Sequence, residues 1–297
     1  MMTNPLVTVI TPTYNCGRFI AETVESILSQ SYRNIEYLVL DDGSADNTQQ
    51  VLSGFRDARL TLLLHPNMGE QATLNKGLRM MRGDYFMFVN ADDPLLPGCI
   101  ETLLRFMECC PHLLCAYPDW QVMDEDRHVR HQVTTRYYDY CWMVRHHTFI
   151  PSVGTMFRRS VIGKVGYVDE SFRVVADWDY WLRIGAVGTM ARVPRTLACW
   201  RRRTGQASGG HSDARAAEHI RVIETLFAET LGVPGLHYLK SQAFCWAHLV
   251  AASVSGSRWT AITHFAKALR YYPTVLLRLH TYDLLARRLL HVRRKNG

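Results

Sequence analysis

Four apolar, β-branched runs fall within the first ninety residues, and the first three each lead through a polar loop into an amphipathic helical stretch. The runs are "LVTVITPTYN", "IEYLVLDDGS", "RLTLLLH" and "DYFMFVN". Between them, "RFIAETVESILSQ" sets Phe19, Ile20, Val24, Ile27 and Leu28 on one helical face. "SADNTQQVLSGF" opens on a capping candidate, Ser44 or Asp46, and "GEQATLNKGLRMM" supplies a third helix. Parallel strands need crossover connections, so this alternation predicts an α/β fold: a mostly parallel sheet flanked by helices. Ligands of such sheets bind beyond the carboxyl ends of the strands. Pro12 to Asn15, Asp41–Asp42 and Asn90 to Asp93 each follow the last apolar residue of a strand, so all three clusters are expected at one edge.

Any one of these aspartates reads well as a turn or helix-cap residue bonded to backbone N–H groups. Two acidic clusters at one edge are a different matter, because they repel unless something positive lies between them. A hard divalent cation with oxygen ligands, bridging the phosphates of a substrate, answers that need.

Beyond Pro97 the chain continues with a helix ("GCIETLLRFMECC"), strand-like "LLCAYPDWQVM" and "PSVGTMF", a short helix ("DWDYWLRIGAVG") and strand-like "TMARVPRTLACWR". "RTGQASGGHSD" has the composition of a flexible loop. Helices are predicted over residues 214–231, 236–253, 259–271 and 274–294, with a boundary at 210–212 that divides the chain into 1–210 and a helical extension, 211–297.

The net charge of +7 is concentrated at the end: residues 258–297 hold nine Lys/Arg and one acid, Asp283, leaving 25 Lys/Arg and 26 acids elsewhere. A nucleic-acid-binding body is disfavoured by that split. The terminal stretch "PTVLLRLHTYDLLARRLLHVRRKNG" reads either as a helix packed on the domain or as a basic amphipathic helix meeting anionic lipid. The eight cysteines form no CxxC and are read as buried free thiols, not a disulfide framework or zinc site. The first residues lack the pattern of a signal peptide, and "AFCWAHLVAASVSG" is shorter than the roughly 20 residues that span a bilayer. The expectation is a soluble, cytoplasmic chain.

The segments "VTVITPTYN", "SILSQSYRNIEYLVLDDGSADNT", "NMGEQATLNKGL", "RGDYFMFVNADD", "GTMFRRSVIGKVGYVDESF" and "ADWDYWLRIG" resemble family 2 glycosyltransferases in order and spacing, over residues 6–203. The resemblance implies the GT-A fold and inverting, metal-dependent transfer of a sugar. The donor is a nucleotide diphosphate, most often UDP, and the acceptor a hydroxyl of a glycan or lipid-linked substrate. It assigns Pro12, Tyr14 and Asp42 to the nucleotide, with Asp41 and Asn67 beside them. "NADD" matches the family's Asp-x-Asp motif: Asp92 is the ligand for Mg²⁺ or Mn²⁺, Asp93 supports it, and Asn90 stands where the family has an acid. Asp177 corresponds to the general base, Asp179 being its rival, and Ala176 takes a position more often Glu. "RRRTGQASGGHS" is either a solvated basic loop or a flap in which Arg201 to Arg203 face the diphosphate and His211 reaches the metal. His146–His147 fit the acceptor side or plain surface better than a metal. The processive members' membrane spans and QxxRW motif are absent, which implies a non-processive enzyme. A nucleotidyltransferase, a non-catalytic nucleotide-sugar binder and a membrane-tethered scaffold are the competing readings. The first would show a Gly-rich pyrophosphate loop after the first strand, the second no turnover, and the third no nucleotide binding.

Overall fold

The computed structural model describes residues 4–148, 150–203, 210–228, 233 and 235–277. The chain forms two compact units, Met1–Tyr138 with Ile150–Arg173 and Val187–Thr204, and Asp139–Phe149 with Val174–Ala186 and Gly205–Gly297.

The first unit is built on an eight-stranded sheet. Its strands are β1 (Val7–Thr13), β2 (Ile35–Asp41), β3 (Leu60–Leu64), β4 (Tyr85–Phe88), β5 (Leu113–Met123), β6 (Val129–Val133), β7 (Met156–Arg158) and β8 (Thr189–Arg201). The order β3-β2-β1-β4 is parallel throughout. β7 then runs antiparallel between β4 and β5, β6 pairs antiparallel with the second half of β5, and β8 runs parallel to β5. Every residue of β1 and β2 is buried, as a parallel sheet covered on both faces requires, which is why these strands read as apolar runs without alternation. Among the described residues the α-helices are α1 (Ile20–Leu28), α2 (Thr48–Leu52), α3 (Glu70–Met80), α4 (Cys99–Cys109), α5 (Tyr140–His146), α6 (Ser160–Val165), α7 (Ala176–Val187), α8 (Asp213–Ala228), α9 (Lys240–Val254) and α10 (Arg258–Tyr271).

Val9, Val39 and Met87 of the sheet join Ile20, Val24 and Ile27 of α1 and Ile100, Leu103 and Met107 of α4 in one core. α3 lies close against the sheet at Gly77, where a Cβ would come within 2.6 Å of Ile10 Cγ2 and 3.4 Å of Leu40 Cδ1. That proximity explains a glycine at the centre of a helix, where it otherwise costs about 1 kcal/mol against alanine.

The second unit is helical. α9 packs on α8 and α10, with Cys245, Trp246, Leu249, Ala268 and Val275 at the centre of one cluster. It takes in α5 and most of α7 in addition to the residues after Thr204.

Several elements differ from expectation. α2 has five residues: Asn47 stands at its N-cap, Asp46 Oδ1 accepts from Thr48 N at 2.9 Å, and the chain leaves the helix at Ser53. β6, α5 and α6 carry no strong periodicity and were not expected. The helix expected over 236–253 begins with a 3-10 turn, Leu236–Leu239. The predicted helix 274–294 lies mainly outside the described residues; its start forms a 3-10 turn, Pro273–Leu277. All eight cysteines are free thiols, five of them buried. No helix of the described residues is long and apolar enough to cross a membrane.

Candidate active site

Parallel pairing of β2, β1 and β4 brings their carboxyl ends to one edge, with Thr13 opposite Asp41 and Val89 N donating to Ile10 O at 3.0 Å. The loops leaving β1 and β2 are tied together. Asn15 is in the left-handed region (φ 50°), which Asn tolerates better than most residues. Its Oδ1 accepts from Ala45 N at 2.8 Å, and its own N–H donates to Ser44 Oγ at 2.9 Å. Pro12 is buried below this junction, while the Tyr14 ring stands 52% exposed above it.

The adjacent aspartates of "DDGS" have different duties. Asp41 is buried and accepts from Ser44 N (3.2 Å) and Ser44 Oγ (2.5 Å) through Oδ1, while Oδ2 has no hydrogen-bond partner. An unmatched buried carboxylate oxygen is costly, so its presence at a strand end marks a place for an N–H or O–H donor. Asp42 uses both oxygens to accept from Met68 N (2.6 Å) and Gly69 N (2.9 Å) immediately ahead of α3. Asn67 Nδ2 donates to Asp42 O at 3.0 Å. The anion at the start of α3 is therefore Asp42 itself, and Asn67 and Gly69 hold this loop to β2.

At the end of β4, Asn90 is exposed and Asp92 and Asp93 are buried. Asp93 accepts from Arg201 N (2.7 Å) and Asn90 Nδ2 (2.9 Å). Burial and the neighbouring Asp92 carboxylate push its pKa up, and those two hydrogen bonds oppose the rise. Arg203 Nε donates to Asp92 Oδ2 at 2.5 Å.

Arg201 requires a correction. It is the last residue of β8 and wholly buried. Its guanidinium donates to Glu22 Oε2 (2.6 Å), Asp92 O (3.0 Å) and Asp124 O (3.1 Å) and lies 5.1 Å from the Phe19 ring centroid. Its charge is matched by Glu22 inside the protein, so of the three arginines expected to face a diphosphate from a loop, it is the one bound within the fold. Residues 204–209 of that expected loop lie outside the described residues.

Among the described residues no group of three or more His, Cys, Asp or Glu side chains is placed to hold a metal. Asp92 offers one carboxylate, already matched by Arg203, and Asn90 an exposed amide. This donor set fits a cation that takes its remaining oxygens from the ligand, as Mg²⁺ does when it binds through one or two carboxylates and substrate phosphates. Arg203 and such a cation compete for Asp92. The Arg203 and Asp92 side chains are 25% and 9% exposed, so the pair is worth about 1 kcal/mol. Arg203→Gln is accordingly expected to tighten Mn²⁺ binding to nucleotide-free protein about fivefold, measured by electron paramagnetic resonance titration. The same change at exposed Arg202 is the control and should leave affinity unaltered.

In the second unit, Asp177 and Asp179 open α7. Asp179 is buried and ion-paired with Arg183 at 2.7 Å, a structural role. Asp177 is solvent-exposed, with Trp178 N donating to Oδ1 at 2.7 Å. The protein packed around its carboxyl desolvates it and pushes its pKa up to about 6, with Trp178 N–H and the Arg215 charge pulling the other way. Glu218 of α8 accepts from Val174 N (2.8 Å) and Val175 N (3.3 Å), fixing the chain as it enters α7. His147 is buried, 2.9 Å from His219, and burial holds both imidazoles neutral, His219 down at about 4. His146 stacks on Trp142. His211 is exposed and belongs to the second unit. Sequence reasoning missed Glu218 and the Arg203–Asp92 pair; only the basic run at 201–203 hinted at the latter.

Residues 8–166, more than half of the chain, match the family described as Glycosyl transferase family 2, and the chain belongs to that family. Its architecture is that of the GT-A glycosyltransferases: it superimposes on S. aureus TarS in complex with UDP-GlcNAc with a TM-score of 0.70, at 17% identity, over 96% of this chain and 86% of that one. A mannosyltransferase from Pyrobaculum calidifontis, in complex with GDP-Man and Mn²⁺, gives a TM-score of 0.60 at 21% identity, over 99% and 89%. In sequence, an uncharacterized glycosyltransferase of Rickettsia prowazekii (strain Madrid E) is 28% identical over 63% of this chain and 61% of its own. The putative teichuronic acid biosynthesis glycosyltransferase TuaG of Bacillus subtilis (strain 168) is 39% identical over 36% of this chain and 44% of its own. The matched stretch thus spans about three fifths of the length of the Rickettsia relative.

Proposed function

We propose that the chain is an inverting, non-processive glycosyltransferase that moves a hexosyl group from a nucleotide diphosphate donor, a UDP-sugar, to a hydroxyl of a glycan or lipid-linked acceptor in cell-surface polysaccharide synthesis. The observation that carries this reading is the gathering of Tyr14, Asp41, Asp42 and Asp92 at one edge of the sheet. TarS with UDP-GlcNAc and the mannosyltransferase with GDP-Man are fold relatives that hold such donors, and TuaG is named for a cell-surface polymer.

Tyr14 gives the base an aromatic face, and Asp41 Oδ2 accepts from a base N–H or ribose hydroxyl. Asp42, held by Met68 and Gly69, shapes the pocket wall beside Pro12 and Asn67. Asp92, with Asn90 and Asp93 behind it, would hold Mg²⁺ or Mn²⁺, the remaining oxygens coming from the donor. When bound, the cation offsets the negative charge that grows on the leaving diphosphate. Asp177 removes the acceptor hydroxyl proton while that oxygen bonds to the anomeric carbon on the face opposite the diphosphate. The bond from the anomeric carbon to the phosphate oxygen breaks, and its electron pair leaves with the diphosphate. With a pKa of about 6, Asp177 is ionised at neutral pH and still basic enough to take a proton.

Calorimetric titration with UDP, GDP and dTDP, with and without Mn²⁺, tests the donor side. One nucleotide is expected to bind, more tightly with Mn²⁺, and Asp92→Ala should remove the gain from metal. Binding of none of the three would overturn the reading. Tight binding that ignores metal, with no turnover, would favour a non-catalytic nucleotide-sugar binder, a reading to which Asn90 and the Arg203–Asp92 pair lend support.

A further inference from the structure

The outward face of α10 has no counterpart in the donor site. Trp259 is 80% exposed and Ile262 46% exposed on the same helix, and what is informative is that they share a patch. At 100° per residue, Ile262, Ala266 and Trp259 form one exposed stripe along the helix. Arg258 borders it on one flank and Lys267 on the other, with Arg270 on the same face near the helix end, all three exposed. The adjoining, inward side carries Ala261, Phe265, Ala268 and Leu269, and the last three pack into the cluster around Cys245, Trp246 and Leu249. α10 is thus seated through one side and presents on the other an apolar centre between cations. It contains no acidic residue at all.

We propose that this face of α10 docks the protein in the plane of an anionic lipid surface. An interfacial helix combines an apolar stripe, Trp included, with Lys and Arg that reach the headgroups on either side. Charge selects this occupant over others. A second copy seated face to face would set Arg258, Lys267 and Arg270 against their own likeness. A nucleic-acid backbone would satisfy the cations and leave Ile262, Ala266 and Trp259 without apolar contact. Anionic lipid satisfies both. This contact on α10 precedes the terminal stretch, 273–297, which by composition reads either as a helix packed on the domain or as a lipid-facing one, and it does not depend on the transferase reading.

The test is co-sedimentation of the full chain with phosphatidylcholine vesicles and with vesicles containing phosphatidylglycerol, at low and high salt. Partitioning is expected to require phosphatidylglycerol and to weaken as salt rises. Trp259→Ser with Ile262→Ser should lower the partition coefficient about tenfold, as should Lys267→Glu with Arg270→Glu. Nucleotide affinity and helical circular dichroism should be unchanged in both variants. Quenching of tryptophan fluorescence by brominated phosphatidylglycerol should be lost specifically in Trp259→Phe. Equal binding by wild type and both double variants would overturn the proposal and assign the contact to the tail. Absence of binding to anionic vesicles would overturn it too, as would self-association abolished by Trp259→Ser.

Discussion

Asp177→Asn is expected to lower kcat by about 10³-fold, in the middle of the range that positioned general bases contribute. Donor affinity should stay close to wild type, because none of the nucleotide-side groups is altered. The pH profile separates a catalytic role from a structural one. Asp177 works as a base only when ionised, and its raised pKa means that half of it is protonated at about pH 6. In the wild type, kcat/KM for the acceptor should therefore rise with pH up to about 6 and then level off. Below that point each pH unit should cost about tenfold. The residual activity of Asp177→Asn should lack this acid limb. Asp179→Asn supplies the contrast: it breaks a buried pair with Arg183, so it should lower stability while keeping the limb. Steady-state kinetics from pH 4.5 to 8 with a nucleotide sugar would decide, and turnover by Asp177→Asn at the wild-type rate would rule Asp177 out.

Arg201→Met is expected to be the most destabilising single change near the site. Breaking one side of a buried ion pair costs about 3–5 kcal/mol because the remaining charge is left uncompensated. The lower end applies here, about 3 kcal/mol, since Glu22 is 20% exposed and keeps Arg127 at 3.0 Å. The bond from Arg201 N to Asp93 survives the change, being made by the backbone. Two others, to Asp92 O and Asp124 O, are lost with the guanidinium. Arg203 lies two residues further on, is partly exposed and pairs with Asp92, so Arg203→Gln should shift stability by less than about 1 kcal/mol. Urea denaturation of the two variants side by side checks the difference. Equal midpoints would mean that Arg201 is not the anchor described.

These two arginines show where sequence reading stops. Arg201 and Arg203 stand in one run, "RRRTG", and nothing in that run distinguishes them. β8 ends at Arg201, turning its side chain into the protein, and the chain delivers Arg203 to Asp92 two residues later. Asp41 and Asp42, and Asp177 and Asp179, divide in the same manner: one of each pair is bound within the fold and the other keeps a free carboxylate oxygen or an exposed side chain.

The order β3-β2-β1-β4 was not legible in the sequence, but the mostly parallel sheet, the helices between its first four strands and the common edge for Tyr14, Asp42 and Asp92 were. They follow from periodicity and strand-end position, which neighbouring residues impose on one another. The partners of the charged groups were not legible. Glu22 and Arg201 are 179 residues apart and Asp92 and Arg203 are 111 apart, so the folded path of the whole chain, and not any local pattern, determines which carboxylate is matched and which is left for a ligand.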